Sequence, residues 1–350
     1  MQRTNCVLLV IQYIDLIIST KCNIMYKILY IGDISTYNYY KEGKNPSHWL
    51  YGAAEMEKDG HKVIWEQESS NLWNDWKLVR HHQPDIIFIP NLNLHNHKLL
   101  LLLSAIGIYR KPIFAYLHHT PKGKGIKAIP YAILLSGCRH VFFISKKTMS
   151  ESIANRVIKG IKCSYIEWGA DSDFYRNIKT KDKGYFMSTG KEKRDFDTLI
   201  EAFKITGEPL KIITCKSHAG NNYENLPALC KDIPNIEVII TENSGGNYPK
   251  MLHAMADAKA LVCPLRQDKL NYCVGLSTIV DAEGLGKPLI ITHNPYHSEK
   301  RMRPFHRVRN VNDWVSAIRE IQTSKKVMPI SPYNIQHCYE KMKVIMRLNT

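Results

Sequence analysis

Residues 274–290 read VGLSTIVDAEGLGKPLI, and two periodicities meet there. Apolar side chains recur at helical spacing over 277–285, and 288–292 is an apolar run of strand length. A helix feeding at once into a buried strand is half of a parallel-sheet crossover, because such sheets are covered on both faces and their strands read as near-continuous apolar runs. The same alternation continues in both directions. Around it, strands are predicted at 185–188, 210–215, 236–241 and 260–264, with helices at 195–206, 249–257 and 311–323. An earlier series places strands at 27–32, 61–65, 85–90, 111–117, 140–145 and 162–167, with helical patterns at 48–58, 99–109 and 147–159.

Charged, apolar-poor residues 175–184 separate the two series as a linker. A chain of 350 residues also exceeds one ordinary core. The fold class is therefore α/β, with two Rossmann-like, doubly wound domains at 25–178 and 183–328. A closing helix lies within 329–350 and could pack back on the first domain. Doubly wound sheets bind ligands beyond the carboxyl ends of their strands, so two of them face to face make a cleft. Residues 1–24 form an extension of uncertain role. Its apolar run is too short to span a membrane, carries Gln12 and Asp15, and lacks a small-residue cleavage site. The native start could equally be Met25, since MYKILYIGD opens a strand directly.

The composition is that of a globular chain, 44% hydrophobic and 23% charged. Nine cysteines without a CxxC pair point to reduced thiols in a cytoplasmic protein. Fifteen histidines lack zinc-site spacing, so no metal is expected, and the absence of GxGxxG after any strand argues against a dinucleotide dehydrogenase. The net charge is +16, and residues 76–160 hold thirteen Lys/Arg against two acids. Such a field suits a phosphate-bearing partner or an anionic membrane surface. The apolar segment 99–109 is followed by Arg110, Lys111, Lys122, Lys124 and Lys127, a pattern that fits peripheral seating on the inner face of a membrane as well as a buried core helix. Nucleic acid is not expected, because no recognised module is present and aromatics do not interleave with the basic cluster.

Taken in order, several motifs resemble the retaining glycosyltransferases of family 4, which have the GT-B fold, from Lys27 to Ile321. They are GHKV at 60–63, PDIIFIP at 84–90, FISKKTMSES at 143–152 and IEWGADSDFY at 166–175. STGKEKRDFDTLIEAF at 188–203 is similar to the loop and helix where the family sets two basic residues against the donor diphosphate. The matching residues are Lys191 and Arg194, just after Gly190. The chemistry agrees, since a departing nucleoside diphosphate gathers negative charge that fixed cations stabilise without a metal. A lysine at a helix start opposes the helix dipole and so points to an anion.

Residues 274–290 resemble the family's donor-binding helix and strand. Gly275 lets the chain approach closely, and the amides of Leu276 and Ser277 would open the helix as a phosphate cradle, with Ser277 equally able to serve as a plain N-cap. Aligning DAEGLGKP with the family's Glu-Ala-x-x-x-Gly-x-Pro puts Asp281 at the second of two signature glutamates, whose implied role is to hold the donor ribose. The first falls on Cys273, and a thiol cannot replace a carboxylate as acceptor for sugar hydroxyls. Asp268 or Asn271 could substitute. Glu283 points elsewhere on the helix and reads as structural.

AYLHHTPKGKG at 115–125 places two histidines at a strand's carboxyl end, where the family commonly keeps a histidine beside the transferred sugar. His118 and His119 both match, and strand alternation sends only one of them into the cleft. The loop 37–48, aromatic and polar, could contact an acceptor or cover the cleft. The resemblance thus implies metal-independent, retaining transfer of a hexose-type sugar from a nucleotide sugar to a saccharide or lipid-linked acceptor, in polysaccharide biosynthesis and with no cofactor beyond the donor. Two other readings stay open: a catalytically silent GT-B protein that binds saccharide or a partner, motivated by the missing first glutamate, and a sugar-nucleotide epimerase on the same fold.

Overall fold

The computed structural model describes residues 24–218, 220–242, 245–298, 306–323 and 333–348. Apart from Ile24, the N-terminal extension lies outside them. The first domain is a parallel sheet of β1 (Lys27–Gly32), β2 (Lys62–Gln67), β3 (Ile86–Ile89), β4 (Ile113–Tyr116), β5 (His140–Phe143) and β6 (Cys163–Tyr165), in the order β2-β1-β3-β4-β5-β6. The second holds β7 (Phe186–Thr189), β8 (Leu210–Cys215), a small hairpin of β9 (Ser217–His218) and β10 (Asn221–Asn222), then β11 (Ile236–Thr241), β12 (Ala260–Cys263), β13 (Leu289–Thr292) and β14 (His306–Val308). Its main sheet runs β11-β8-β7-β12-β13-β14, again all parallel. Every residue of β3, β4, β7, β12 and β13 is buried, as a sheet covered on both faces requires.

The first sheet is covered by α1 (Ile34–Lys41), α2 (Ala53–Lys58), α3 (Asn74–His82), α4 (Lys98–Ala105), α5 (Ile129–Ser136) and α6 (Lys146–Ala154). The short α7 (Ser172–Arg176) leads to the second domain, with α8 (Phe196–Thr206), α9 (Leu226–Leu229), α10 (Tyr248–Ala256), α11 (Leu276–Leu285) and α12 (Val311–Thr323). The last helix, α13 (Ile335–Met346), returns to the first domain. There the Ile335 amide donates to the Ala170 carbonyl at 2.9 Å, the Tyr339 hydroxyl donates to Asp59 at 2.9 Å, and the Tyr116 hydroxyl meets the Met342 sulfur at 3.1 Å.

Three differences from the sequence prediction have physical causes. Part of the segment read as a loop over 37–48 is helix α1, started by Asp33, whose Oδ1 accepts from the Ser35 amide at 3.0 Å. Its sequence, ISTYNYYK, buries no residue and so shows no periodicity to read. The single helix expected over 48–58 is instead a 3₁₀ turn, Ser47–Leu50, broken from α2 by Tyr51 and Gly52 in left-handed conformations. Gly52 is required there, since a Cβ would sit 3.2 Å from the Met342 sulfur of α13. Finally, Tyr175 does not belong to the linker: it is helical and 3% exposed, packed between the domains.

Candidate functional site

Strand ends of both sheets open on one cavity of about 380 Å³. Its second-domain side begins where β7 runs out at Thr189. Gly190 takes φ +102, a conformation that favours glycine, and its carbonyl accepts from the Thr214 hydroxyl at 2.9 Å. The turn folds over Arg194, whose guanidinium occupies the place a Gly190 Cβ would take. Arg194 is only 5% exposed and forms no ion pair among the described residues. Its Nε donates to the Thr189 carbonyl at 3.2 Å and its Nη1 to the Glu192 carbonyl at 2.9 Å, while Nη2 has no partner among the described residues. A buried, uncompensated cation braced on backbone carbonyls is poised for an anion. Lys191 lines the same cavity.

Helix α11 supplies the second anion-seeking element. Gly275 is its N-cap at φ +87, where a Cβ would press on the Cys263 sulfur at 3.1 Å and Leu265 at 3.2 Å, and no side chain caps the helix. Two expectations are corrected here. Ser277 is not the N-cap, because the left-handed Gly275 starts the helix. The Leu276 amide is not open either, because it turns back to the Cys273 carbonyl at 3.1 Å. The first-turn amides without a partner among the described residues are those of Ser277 and Thr278, and both residues line the cavity.

Asp281, one turn further along, lines the cavity at 5% exposure. Its Oδ1 accepts from the Tyr175 and Tyr248 hydroxyls, each at 2.7 Å. Burial raises its carboxyl to about 6, although the two tyrosines pull the other way. Cys273 is in the cavity wall. The suggested substitutes are elsewhere: Asp268 and Asn271 are exposed and do not line the cavity, and the Asn271 side-chain oxygen accepts from Lys193. The carboxylates that do line it besides Asp281 are Glu192 and Glu242. Glu283 is buried outside it.

Of the two histidines, His118 reaches the cavity. His119 leans out onto Tyr272 of the second domain with ring centroids 4.1 Å apart. His118 Nε2 lies 3.1 Å from the Pro90 carbonyl, and a carbonyl only accepts, so Nε2 carries the proton and Nδ1 is left as an acceptor. Burial drives the ring down to about 4, against the Pro90 bond, so it is neutral at physiological pH. Beside it stand Trp49, Tyr51 and Trp168, with Tyr51 and Trp168 stacked at 5.5 Å.

Behind this aromatic wall is a second recess of about 330 Å³, lined among others by Asp33, Glu68, Asn91 and Ser277. Glu68 is backed by a buried histidine that the sequence reading missed. His97 is fully buried, its Nδ1 2.7 Å from Asp75 and its Nε2 3.4 Å from Glu68. Burial alone would lower His97, but the two carboxylates outweigh it and bring it up to about 9. The His97 contact in turn holds the Glu68 carboxyl below the usual range. The signal available in the sequence was position alone, Glu68 falling just beyond the carboxyl end of β2. Tyr248 belongs to no motif, and Tyr175 closes the motif at 166–175 without any local sign that its hydroxyl reaches Asp281.

No family profile and no curated protein sequence matches the chain. Solved structures do. A glycosyltransferase from Rickettsia africae superposes with a TM-score of 0.66 at 12% identity, over 93% of this chain and 98% of that one. An α-glucosyltransferase in complex with UDP and DNA gives 0.61 at 10%, over 92% and 100%. A putative UDP-N-acetylglucosamine 2-epimerase from Listeria monocytogenes gives 0.58 at 10%, over 93% and 96%. The fold is therefore GT-B, two Rossmann-like domains facing across a cleft. At these identities the likeness extends to the fold and no further.

Proposed function

We propose that the chain is a metal-independent glycosyltransferase that moves a sugar from a nucleotide-diphosphate donor to a saccharide or lipid-linked acceptor. The observation that carries this reading is Arg194, a buried guanidinium with no ion pair among the described residues, set at the same cavity as Lys191 and the open amides of α11. Together they make a seat for a diphosphate whose charge grows as the glycosidic bond breaks. Asp281 holds the ribose. The neutral His118 offers Nδ1 to a hydroxyl of the transferred sugar, and the acceptor enters along Trp49, Tyr51 and Trp168 from the recess that carries Asp33 and Glu68. The acceptor oxygen bonds to the anomeric carbon as the bond to the phosphate oxygen breaks, its electron pair leaving with the nucleoside diphosphate, and the acceptor's hydroxyl proton passes to the departing phosphate oxygen.

The test is calorimetry with UDP, GDP, ADP and their sugar derivatives, followed by assay of released nucleoside diphosphate with saccharide acceptors. Binding and acceptor-dependent release are expected. Conversion of donor without acceptor would identify an epimerase, and binding with neither reaction a silent carrier. Absence of all nucleotide affinity would end the proposal.

A further inference from the structure

We infer that the face built by α4 and α5 of the first domain docks on an anionic lipid bilayer. A groove of about 410 Å³ runs between Leu99 and Leu102 of α4 and Pro130, Ile133 and Leu134 of α5, with Lys98 at its edge. The surface around it is aliphatic. Ile126, in the 3₁₀ turn before α5, is 83% exposed, while Ile129 and Ile133, one turn apart on α5, are 53% and 47% exposed. Ile106 and Ile108, after α4, are each 60% exposed. Helix α5 reads IPYAILLS; it buries Leu135 and packs Tyr131 and Leu134 half-buried against the core, while Ile129, Pro130 and Ile133 are left exposed on its outer side. The groove and the exposed isoleucines that adjoin it on α5 make a contact site rather than ordinary exposure.

Its rim decides the partner. Lys122, Lys124 and Lys127 bracket Ile126, Arg110 and Lys111 follow Ile108, and all five are exposed. The whole span 76–160 has only Asp85 and Glu151 to set against thirteen cations. Aliphatic side chains ringed by lysine and arginine match acyl chains beneath anionic headgroups. A second copy would set these cations against each other, and a nucleic acid would leave the isoleucines uncovered. Among the described residues no helix is long and apolar enough to cross a membrane, so the contact is interfacial. One short loop joins His118 in the cleft to Ile126 on this face, which would bring an acceptor in the headgroup layer to the reaction centre. That last point rests on the transferase reading, whereas the docking does not.

The experiment is cosedimentation of the full chain with vesicles of phosphatidylcholine alone and of phosphatidylcholine mixed with phosphatidylglycerol. Binding is expected only to the mixed vesicles and should weaken with salt. K122Q/K124Q/K127Q should weaken partitioning on the order of a hundredfold. I126D/I129D, at exposed positions, should weaken it roughly tenfold or more with an unchanged melting temperature and unchanged nucleotide affinity. Equal binding to neutral vesicles, no binding to either, or variants that partition like the parent would overturn the inference. So would a concentration-dependent dimer, abolished by I126D/I129D, in place of vesicle binding. Nucleotide affinity is measured separately on the same protein, so failure of the docking and failure of the transferase reading are distinguishable.

Discussion

The Tyr175 hydroxyl lies 2.7 Å from Oδ1 of Asp281, so the short helix that ends the first domain grips a carboxylate in the middle of the second domain's α11. Tyr248 meets the same oxygen, and the two tyrosine oxygens are 2.8 Å apart. Asp281 is thereby fixed from both sides of the interdomain junction.

This arrangement predicts opposite pH responses for stability and for binding. The Asp281 carboxyl is raised from 3.8 to about 6, so the folded protein holds the proton more tightly than the unfolded chain. Its contribution to stability is full below pH 3.8, falls as pH rises through about 6, and is level above that. Donor affinity should instead rise through pH 6, because the ionised carboxylate is the better acceptor for ribose hydroxyls. Calorimetry with a nucleotide sugar, whose esterified diphosphate does not titrate here, should show the rise in the parent and a flat profile in Asp281→Asn. A parallel slope in the variant would remove Asp281 from the site.

Arg194 should not be replaceable by lysine, because two of its nitrogens brace the backbone while the third, against Gly190, has no partner among the described residues. Arg194→Lys and Arg194→Ala are expected to weaken nucleotide binding by roughly tenfold to a hundredfold, the worth of a charge-assisted hydrogen bond. Gly190→Ala should do the same indirectly, since its Cβ would claim the space of the guanidinium and strain a turn at φ +102. Parent-like affinity in all three would place the diphosphate elsewhere.

The His97 cluster gives the N-terminal domain an alkaline limit. His97 is raised to about 9, so its ion pairs contribute fully below pH 6.5 and are lost as pH climbs through about 9. The melting temperature should fall over that window. His97→Gln should be destabilised by roughly 3 kcal/mol near neutrality, because Asp75 and Glu68 lose a buried partner, and its melting curve should be flat across the same window. Thermal melts from pH 6 to 10 decide the matter.

Met342 is fully buried beneath Tyr116 and Gly52. Met342→Ala should cost about 3 kcal/mol in denaturant unfolding. Nucleotide affinity should persist, since the donor wall belongs to the second domain.

How much of this was legible beforehand depended on the kind of signal. Buried parallel strands such as Ile86–Ile89 and Ala260–Cys263 announce themselves as short apolar runs, and the sheets follow from them. Glycines at 190 and 275 mark turns beside the cavity for the same reason that they can be read, a backbone conformation favouring glycine. Helix α1 was not legible, because it is held by one cap and no apolar stripe. The pairing of Tyr175 with Asp281, and of His97 with Glu68, joins residues far apart in sequence, and nothing in either local pattern encodes the other. The choice between His118 and His119 was equally closed to pattern, since alternation states that they diverge without saying which one turns inward.

The return of the final helix also sets an order of events during synthesis. Ile335, Tyr339 and Met342 complete a core shared with Leu50, Ala53 and Met56, so the domain made first remains unfinished until the last helix leaves the ribosome. A stop codon placed just before residue 335 would spare every residue of the proposed site, yet it would leave the first half of the protein with an open hydrophobic wound and hand it to the chaperones.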